Sequence, residues 1–222
     1  MHLQFKFGLD KLDALNYPNF RPEEIDLLLN QAQDRIVKQR YGINNIKRQS
    51  FEETQKRTED LKNIVKTAII TPQVYSVNNI DINARYCLLP TDHWFIVQER
   101  AKINHLCNGI STDTMVEVRP IQHVEFDKVI KDAFKKPDLT KVLRLMDDGK
   151  VELIFAPNTT IVEYRLRYIK EPIRVNLLTS TNCELSDYMH QEIVDEAIKI
   201  ALETIEAKRN NTFTPIIDNT KE

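Results

Sequence analysis

The stretch "KVLRLMDDGKVELIFAPNTTIVEYRLRYIKEP", Lys141–Pro172, decides the fold. Its first half, Lys141–Pro157, holds two runs of alternating apolar residues joined at Asp147-Asp148-Gly149. Asp-Gly between such runs signals a hairpin, because the turn needs positive φ and glycine supplies it without steric cost. The second half predicts a long strand. Val162, Tyr164, Leu166 and Tyr168 alternate with Glu163, Arg165 and Arg167.

Working back from this stretch, the period-two pattern continues. "TAIIT" (67–71), "ARYCLLP" (84–90), "WFIVQERAKI" (94–103) and "MVEVRPIQ" (115–122) are short, β-rich and separated by Pro and Asn/Asp clusters. Strands are therefore expected mainly over 67–119 and 141–170. "HVEFDKVIKDAFKKP" interrupts them with a helix over 123–134, stopped by Pro137.

Toward the start the period becomes helical. "PEEIDLLLNQAQDRIVKQRYG" predicts a helix over 22–41. Pro22 suits its first turn, Glu23 and Glu24 its positive end, Lys38 and Arg40 its negative end. Ile25, Leu28, Leu29, Ala32 and Ile36 fall on one face, and Gly42 is placed to end it. "SFEE" is a capping box, Ser50 with Glu53, and predicts a helix over 50–66 with Phe51, Leu61 and Val65 inward. Residues 1–20 read as an extended N-terminal arm outside these elements. The tail 212–222 is polar apart from "FTPII", which suits addition to a neighbour's sheet edge.

Beyond the decisive strand comes "CELSDYMHQEIVDEAIKIALETIEAKR", Cys183–Arg209. A helix over 185–208 places Met189, Ile193, Ala197 and Ile200 beside Val194, Ile198, Ala201 and Ile205 in one wide apolar stripe. Asp187, Glu192, Asp195, Glu196, Glu203 and Glu206 take the other faces. His190 lacks the second histidine one turn on that a zinc helix carries, so packing or a local hydrogen bond is its expected role. Cys183 with His190 is a weak thiol-hydrolase pair, because no third orienting group stands near them. His93, His105 and His123 show no ligand spacing. No catalytic, cofactor-binding or metal residue is assigned.

Helices come first, then strands with one inserted helix, then a closing helix. Segregated elements of this kind give an α+β fold. The expected architecture is a helical bundle, made by the N-terminal helices and the closing helix, packed with an antiparallel sheet or sandwich-like domain over 21–211.

Totals bound the function. The chain has 222 residues, 41% hydrophobic and 29% charged, with net charge −2. Four isolated glycines, Gly8, Gly42, Gly109 and Gly149, cannot build a Rossmann or Walker phosphate cradle, which needs them clustered. Cys87, Cys107 and Cys183 are scattered and odd in number, which favours reduced thiols over a disulfide framework. No apolar run reaches membrane-spanning length. "RYGINNIKR" and "YRLRYIK" interleave bases with aromatics. They offer Arg40, Lys47, Arg48, Arg165 and Arg167 to phosphates, and the strand Tyr164–Lys170 as a nucleic-acid face. Solvated strand and loop faces are the simpler reading, since acids elsewhere cancel the field.

Five stretches in order resemble one family. "LLLNQAQDRIVKQRYG" resembles a first-helix motif with an Ala-Gln pair, then Ile-Val and a tyrosine. "LPTDHWFIVQERAKI" is similar to a Leu-Pro-x-Asp strand opening. "VEFDKVIKDAFKKPDLTKVLRL" is similar to a helix followed by Phe-x-x-Pro and a Val-x-Arg strand. "YRLRYIKEPIRVNL" resembles Tyr-x-x-Arg-Tyr-Ile-x-x-Pro, and "CELSDYMHQEIVDEAIKIALE" a Cys-Glu-Leu followed by a His-x-x-Ile-Val-x-x-Ala helix. On these motifs, spanning Ile25–Glu206, the chain resembles the ring or head-to-tail adaptor proteins of crAss-like podoviruses, related to the tail tubular adaptors of short-tailed phages. "NYPNFRP" stands where that family usually has Ala-Pro-Gly. The resemblance implies a non-enzymatic virion protein without cofactor, made in the host cytoplasm. It implies a homo-oligomeric ring of about twelve subunits in the neck or tail. The ring would contact the portal and other ring or tail proteins, and would pass DNA through its lumen without touching a membrane. In such a ring the acidic last helix would be a candidate lumen wall that repels DNA.

Overall fold

The computed structural model describes residues 1–12, 20–42, 51–73, 83–107, 109–147 and 149–204. The fold is α+β, and the chain divides into two units. One is helical and built from both chain ends, Met1–Ile64 with Pro172–Glu222. The other, Val65–Glu171, holds every strand found among the described residues.

The helical unit contains α1 (His2–Leu12), α2 (Pro22–Tyr41), α3 (Gln55–Leu61) and α5 (His190–Thr204). α2 forms as its sequence dictates. Pro22 opens it, the Glu24 carboxylate accepts the Arg21 N–H at 2.8 Å, and the Gly42 N–H closes it on the Lys38 carbonyl at 2.9 Å. Ile25, Leu28, Leu29, Ala32 and Ile36 are buried, as the spacing predicts, and so is Val37. The stripe of α5 is buried as well: Ile193, Val194, Ala197, Ile198, Ile200 and Ala201. α2 and α5 pack along each other.

Three helix boundaries differ from the sequence reading, each for a local reason. The helix expected over 50–66 is only Gln55–Leu61, flanked by 3-10 turns, and the chain is already strand at Val65. Val65–Ile70 pairs along a longer strand, and that ladder outweighs the helical pattern. The capping serine, Ser50, lies outside the described residues. α4 (Phe126–Lys131) stops before 134 because Asp132 turns extended and its carboxylate accepts the Phe134 N–H at 2.9 Å. α5 begins at His190, after a 3-10 turn over Asp187–Met189. The residues after Thr204, including the "FTPII" tail, lie outside the described part.

The reading of residues 1–20 as an extended arm is corrected. His2–Leu12 is a helix, and it packs on α5. Phe5 and Leu9, one helical turn apart, are fully buried. The signal was a glycine. A Cβ on Gly8 would meet the side-chain tip of Ile198 at 2.5 Å, so α1 lies close against α5 at this glycine.

The sheet unit is one seven-stranded sheet in the order β1-β7-β3-β4-β5-β6-β2. The strands are β1 (Val65–Ile70), β2 (Ala84–Leu88), β3 (His93–Cys107), β4 (Ile110–Pro120), β5 (Lys141–Asp147), β6 (Lys150–Ile154) and β7 (Thr159–Lys170). The Asp-Gly hairpin forms as expected, β5 against β6 with Asp147 opposite Lys150 and Gly149 at φ +73°. Neighbours are antiparallel except β4 and β5, which are parallel because the crossover through α4 returns the chain in the same direction. The sheet curls. Past the end of β1, Gln73 exchanges both backbone hydrogen bonds with Tyr86 of β2, at 2.7 and 3.0 Å, drawing the two edge strands together. This curl lets a single sheet enclose a core that the sequence reading assigned to a sandwich-like domain. Cys87, Ala101, Val116, Val142, Leu153, Tyr164 and Leu166 fill it.

β7 alternates as predicted from Tyr164 to Tyr168, but Val162 is 45% exposed. Ile103 pairs with Ile161 and Lys102 with Glu163, so Val162 is an extra residue on β7. That bulge turns Ile161 inward and Val162 outward.

Replacing Phe5 by alanine should lower folding stability by about 3 kcal/mol or more, the cost of emptying a buried aromatic site. Urea denaturation checks this, and an unchanged midpoint would return α1 to the status of an arm.

Candidate functional site

In the helical unit the polar residues of α2 face the segment that follows Pro172. Asn30 brackets Val175, donating to its carbonyl at 3.0 Å and accepting its N–H at 2.8 Å. Gln33 donates to the Ile173 carbonyl at 3.2 Å and accepts the Cys183 thiol at 3.2 Å. Asp26 accepts the Leu177 N–H at 3.0 Å and meets His2 Nε2 at 2.7 Å. Asp34 pairs with Arg174 at 2.7 Å. Positions 26, 30, 33 and 34 share one helical face by their spacing. They grip the chain about 140 residues away as a neighbouring strand would.

A second polar cluster ties α2 to α3 and α5. Arg40 is buried and meets Asp60 at 2.8 Å and Glu192 at 2.6 Å. Arg35 meets Glu196 at 3.2 Å and Glu203 at 3.7 Å. Burial pushes the Asp60 carboxyl above its ordinary range, against the pull of Arg40. Glu196, assigned by spacing to a polar face, is only 3% exposed. Glu192, Glu196 and Glu203 thus answer cations of the same unit, which argues against α5 as a repelling channel wall.

The sheet unit has its own cluster. Tyr164 donates to the Glu99 carboxylate, and Arg144 meets the same carboxylate at 3.2 Å. Burial raises the Glu99 pKa although both partners oppose the shift. Tyr168 donates to Asp92 at 2.9 Å, and Lys66 reaches Asp92 at 3.1 Å. Burial disfavours the Asp92 charge, but the bonds from Tyr168 and Lys66 outweigh it and hold its pKa below the usual value.

These clusters explain the motifs. The Leu-Pro-x-Asp residue Asp92 meets Tyr168 of the Tyr-Ile motif. Arg144 of the Val-x-Arg strand shares Glu99 with Tyr164. Gln33 of the Ala-Gln pair holds Cys183 of Cys-Glu-Leu. The motif residues hold distant strands and loops to one another.

The other candidates separate. Burial raises the Cys183 thiol pKa, and its hydrogen bond goes to an amide oxygen. A thiol held neutral is a poor nucleophile. His190 and Cys183 do border one cleft of about 540 Å³, together with Met1, Leu3, Asn176 and Leu177. The groups nearest His190 supply no orienter at bonding distance: Asp187 is 3.9 Å away. His123 Nε2 bonds to the Met146 carbonyl at 2.7 Å, while His93 and His105 lie on β3. Among the described residues no group of three metal-ligating side chains gathers. Of the basic positions, Arg40 is buried in ion pairs, Lys47 and Arg48 lie outside the described residues, and Arg165 pairs with Glu163. β7 sits between β1 and β3 and Lys170 is buried, while Arg165 and Arg167 stand exposed on the face of the sheet. No helix among the described residues is long and apolar enough to cross a membrane.

What the surface does offer is apolar. Leu3 (83% exposed), Leu177 and Leu178 stand exposed in the helical unit. Leu106 and Ile110 stand exposed at the β3–β4 tip, and Val124 and Phe134 on either side of α4. Such groups suit contact between proteins.

The site therefore defines a protein built to be held against others, with interlocked polar clusters inside and apolar groups outside. Residues 4–213 match the family described as phage tail ring protein 3/4, and the chain belongs to it. Among curated relatives it is similar to "Ring protein 3" of Bacteroides phage crAss001, 26% identical over 201 residues, covering 83% of this chain and 86% of that protein. It is also similar to "Ring protein 4/5" of the same phage, 25% identical over 206 residues and 83% of each chain.

Arg40→Ala should cost about 3–5 kcal/mol, because it strands the buried Asp60 charge, whereas Arg35→Ala should cost far less. Thermal melting of both variants checks the contrast. In the native protein Cys183 should react with iodoacetamide at pH 8 much more slowly than a free thiol. Site-resolved mass spectrometry reads the rate, and fast labelling would revive the thiol reading.

Proposed function

We propose that the chain is a structural, non-enzymatic subunit of a homo-oligomeric ring in the virion of a crAss-like phage. The ring lies in the neck or tail, stacked with the portal and other ring proteins. About twelve copies surround a passage for DNA. The observation that carries this reading is the family match over nearly the whole chain, residues 4–213, so that both units belong to it. The internal geometry supports it. Buried titratable groups are spent on holding elements together, and large apolar side chains are left outside. The raised pKa of the Cys183 thiol speaks against a hydrolase there, and the ion pair of Arg165 with Glu163 weakens the reading of β7 as a nucleic-acid face.

Negative-stain imaging of the purified protein, alone and mixed with virion extract, tests the reading. Closed rings or incorporation below the portal are the expected result. A chain that stays monomeric under both conditions and is absent from virions would overturn it.

A further inference from the structure

Resting on the reading of the chain as a ring subunit, we propose that neighbouring subunits join through their sheets. The distal half of β4 in one copy pairs, parallel, with the distal half of β7 in the next.

β4 is covered by β3 along Ile110–Glu117, but on its other margin β5 pairs only with Glu117–Pro120. Among the described residues, no strand covers Ile110–Val116 on that side. The direction of the backbone there is fixed by one bond: the Glu117 N–H points to the Thr140 carbonyl, at 3.3 Å, toward β5. Strand groups repeat every two residues. The N–H and C=O of Ser111, Asp113 and Met115 therefore point the same way, past the start of β5. Ser111, Thr112 and Asp113 are exposed, and the stretch holds no proline and no lysine, devices that ordinarily blunt an edge.

The opposite margin is open too. β7 pairs with β3 from Thr159 to Lys170, but β1 covers only Tyr164–Ile169. Thr159–Glu163 has no strand on that side among the described residues. β7, β3 and β4 are consecutive in the sheet, so the two open margins bound one three-stranded ribbon.

The geometry points to a second copy as the occupant. β4 and β7 are both antiparallel to β3 and so run in the same direction. Their open halves start at the same end of the ribbon, with Ile110 opposite Cys107 and Thr159 opposite His105. A rotation that carries one ribbon to the next sets β4 beside the neighbour's β7 without reversing either. That contact is heterologous, and a heterologous contact is what closes a ring. The exposed Ile110 and Val162 lie on the two open strand halves, at the seam.

The test uses the full chain with Cys107→Ser, carrying Thr112→Cys on β4, Thr160→Cys on β7, or both. Assembled rings are treated with a short bis-maleimide and run under denaturing conditions. The double variant should give a ladder of covalent oligomers, and each single variant only monomer. Dimers from Thr112→Cys alone would mean β4 pairs with β4, and would overturn the proposal. A second arm compares Asp113→Pro with Asp113→Ala. Proline removes one outward donor, while alanine removes only the carboxylate that meets Lys102 at 2.8 Å. Rings should be lost with proline and kept with alanine, both chains melting alike. Rings that persist in Asp113→Pro, without cross-linking in the double variant, overturn the seam and leave the ring reading standing. A wild-type chain that forms no ring overturns both.

Discussion

The bracket between Asn30 and Val175 is the contact on which the helical unit depends. The unit is made from the two ends of the chain, with the whole sheet unit between them in sequence. Bringing distant segments together costs loop-closure entropy before any contact forms. Hydrophobic burial between α2 and α5 offsets that cost but is non-directional. Asn30, with Asp26 and Gln33, adds direction. Its amide fits one backbone N–H and one carbonyl, as a strand partner would, and so fixes which residue of the returning chain sits against which turn of α2.

The same logic recurs in the ion clusters. Burying a charge is unfavourable unless it is paired. Arg40 is useful because it is paired twice, with Asp60 and Glu192, on two different elements. Glu99 does the same work between Tyr164 and Arg144. Each cluster links three elements, so removing the central residue strands its partners. Among the described residues, Gln33, Asp92, Arg144, Tyr164 and Tyr168, which carry the family resemblance, all make contacts inside the subunit.

The curled sheet joins its two edge strands at Gln73 and Tyr86, which limits the edges exposed there. It leaves margins elsewhere, because β5 and β1 are shorter than the strands they accompany. Strand length, set by where Pro, Asp and Gly interrupt the pattern, thus decides which stretches of β4 and β7 keep an uncovered margin among the described residues.

Much of this was legible in the sequence. The 3.6-residue period gave α2 and α5 and their buried faces, the Asp-Gly turn gave the β5–β6 hairpin, and segregation of the periods gave the α+β class. Those signals are local, carried by side chains within a few positions of each other. Tertiary structure decided the rest. α1 was hidden because Phe5, Leu9 and Gly8 are too few to make a stripe, and their meaning lies in Ile198 across the helix pair. The partners of Asn30, Arg40 and Glu99 were hidden because each contact joins residues far apart in the chain. Glu196 went inward because Arg35 stood opposite, a fact of packing that no helical wheel contains.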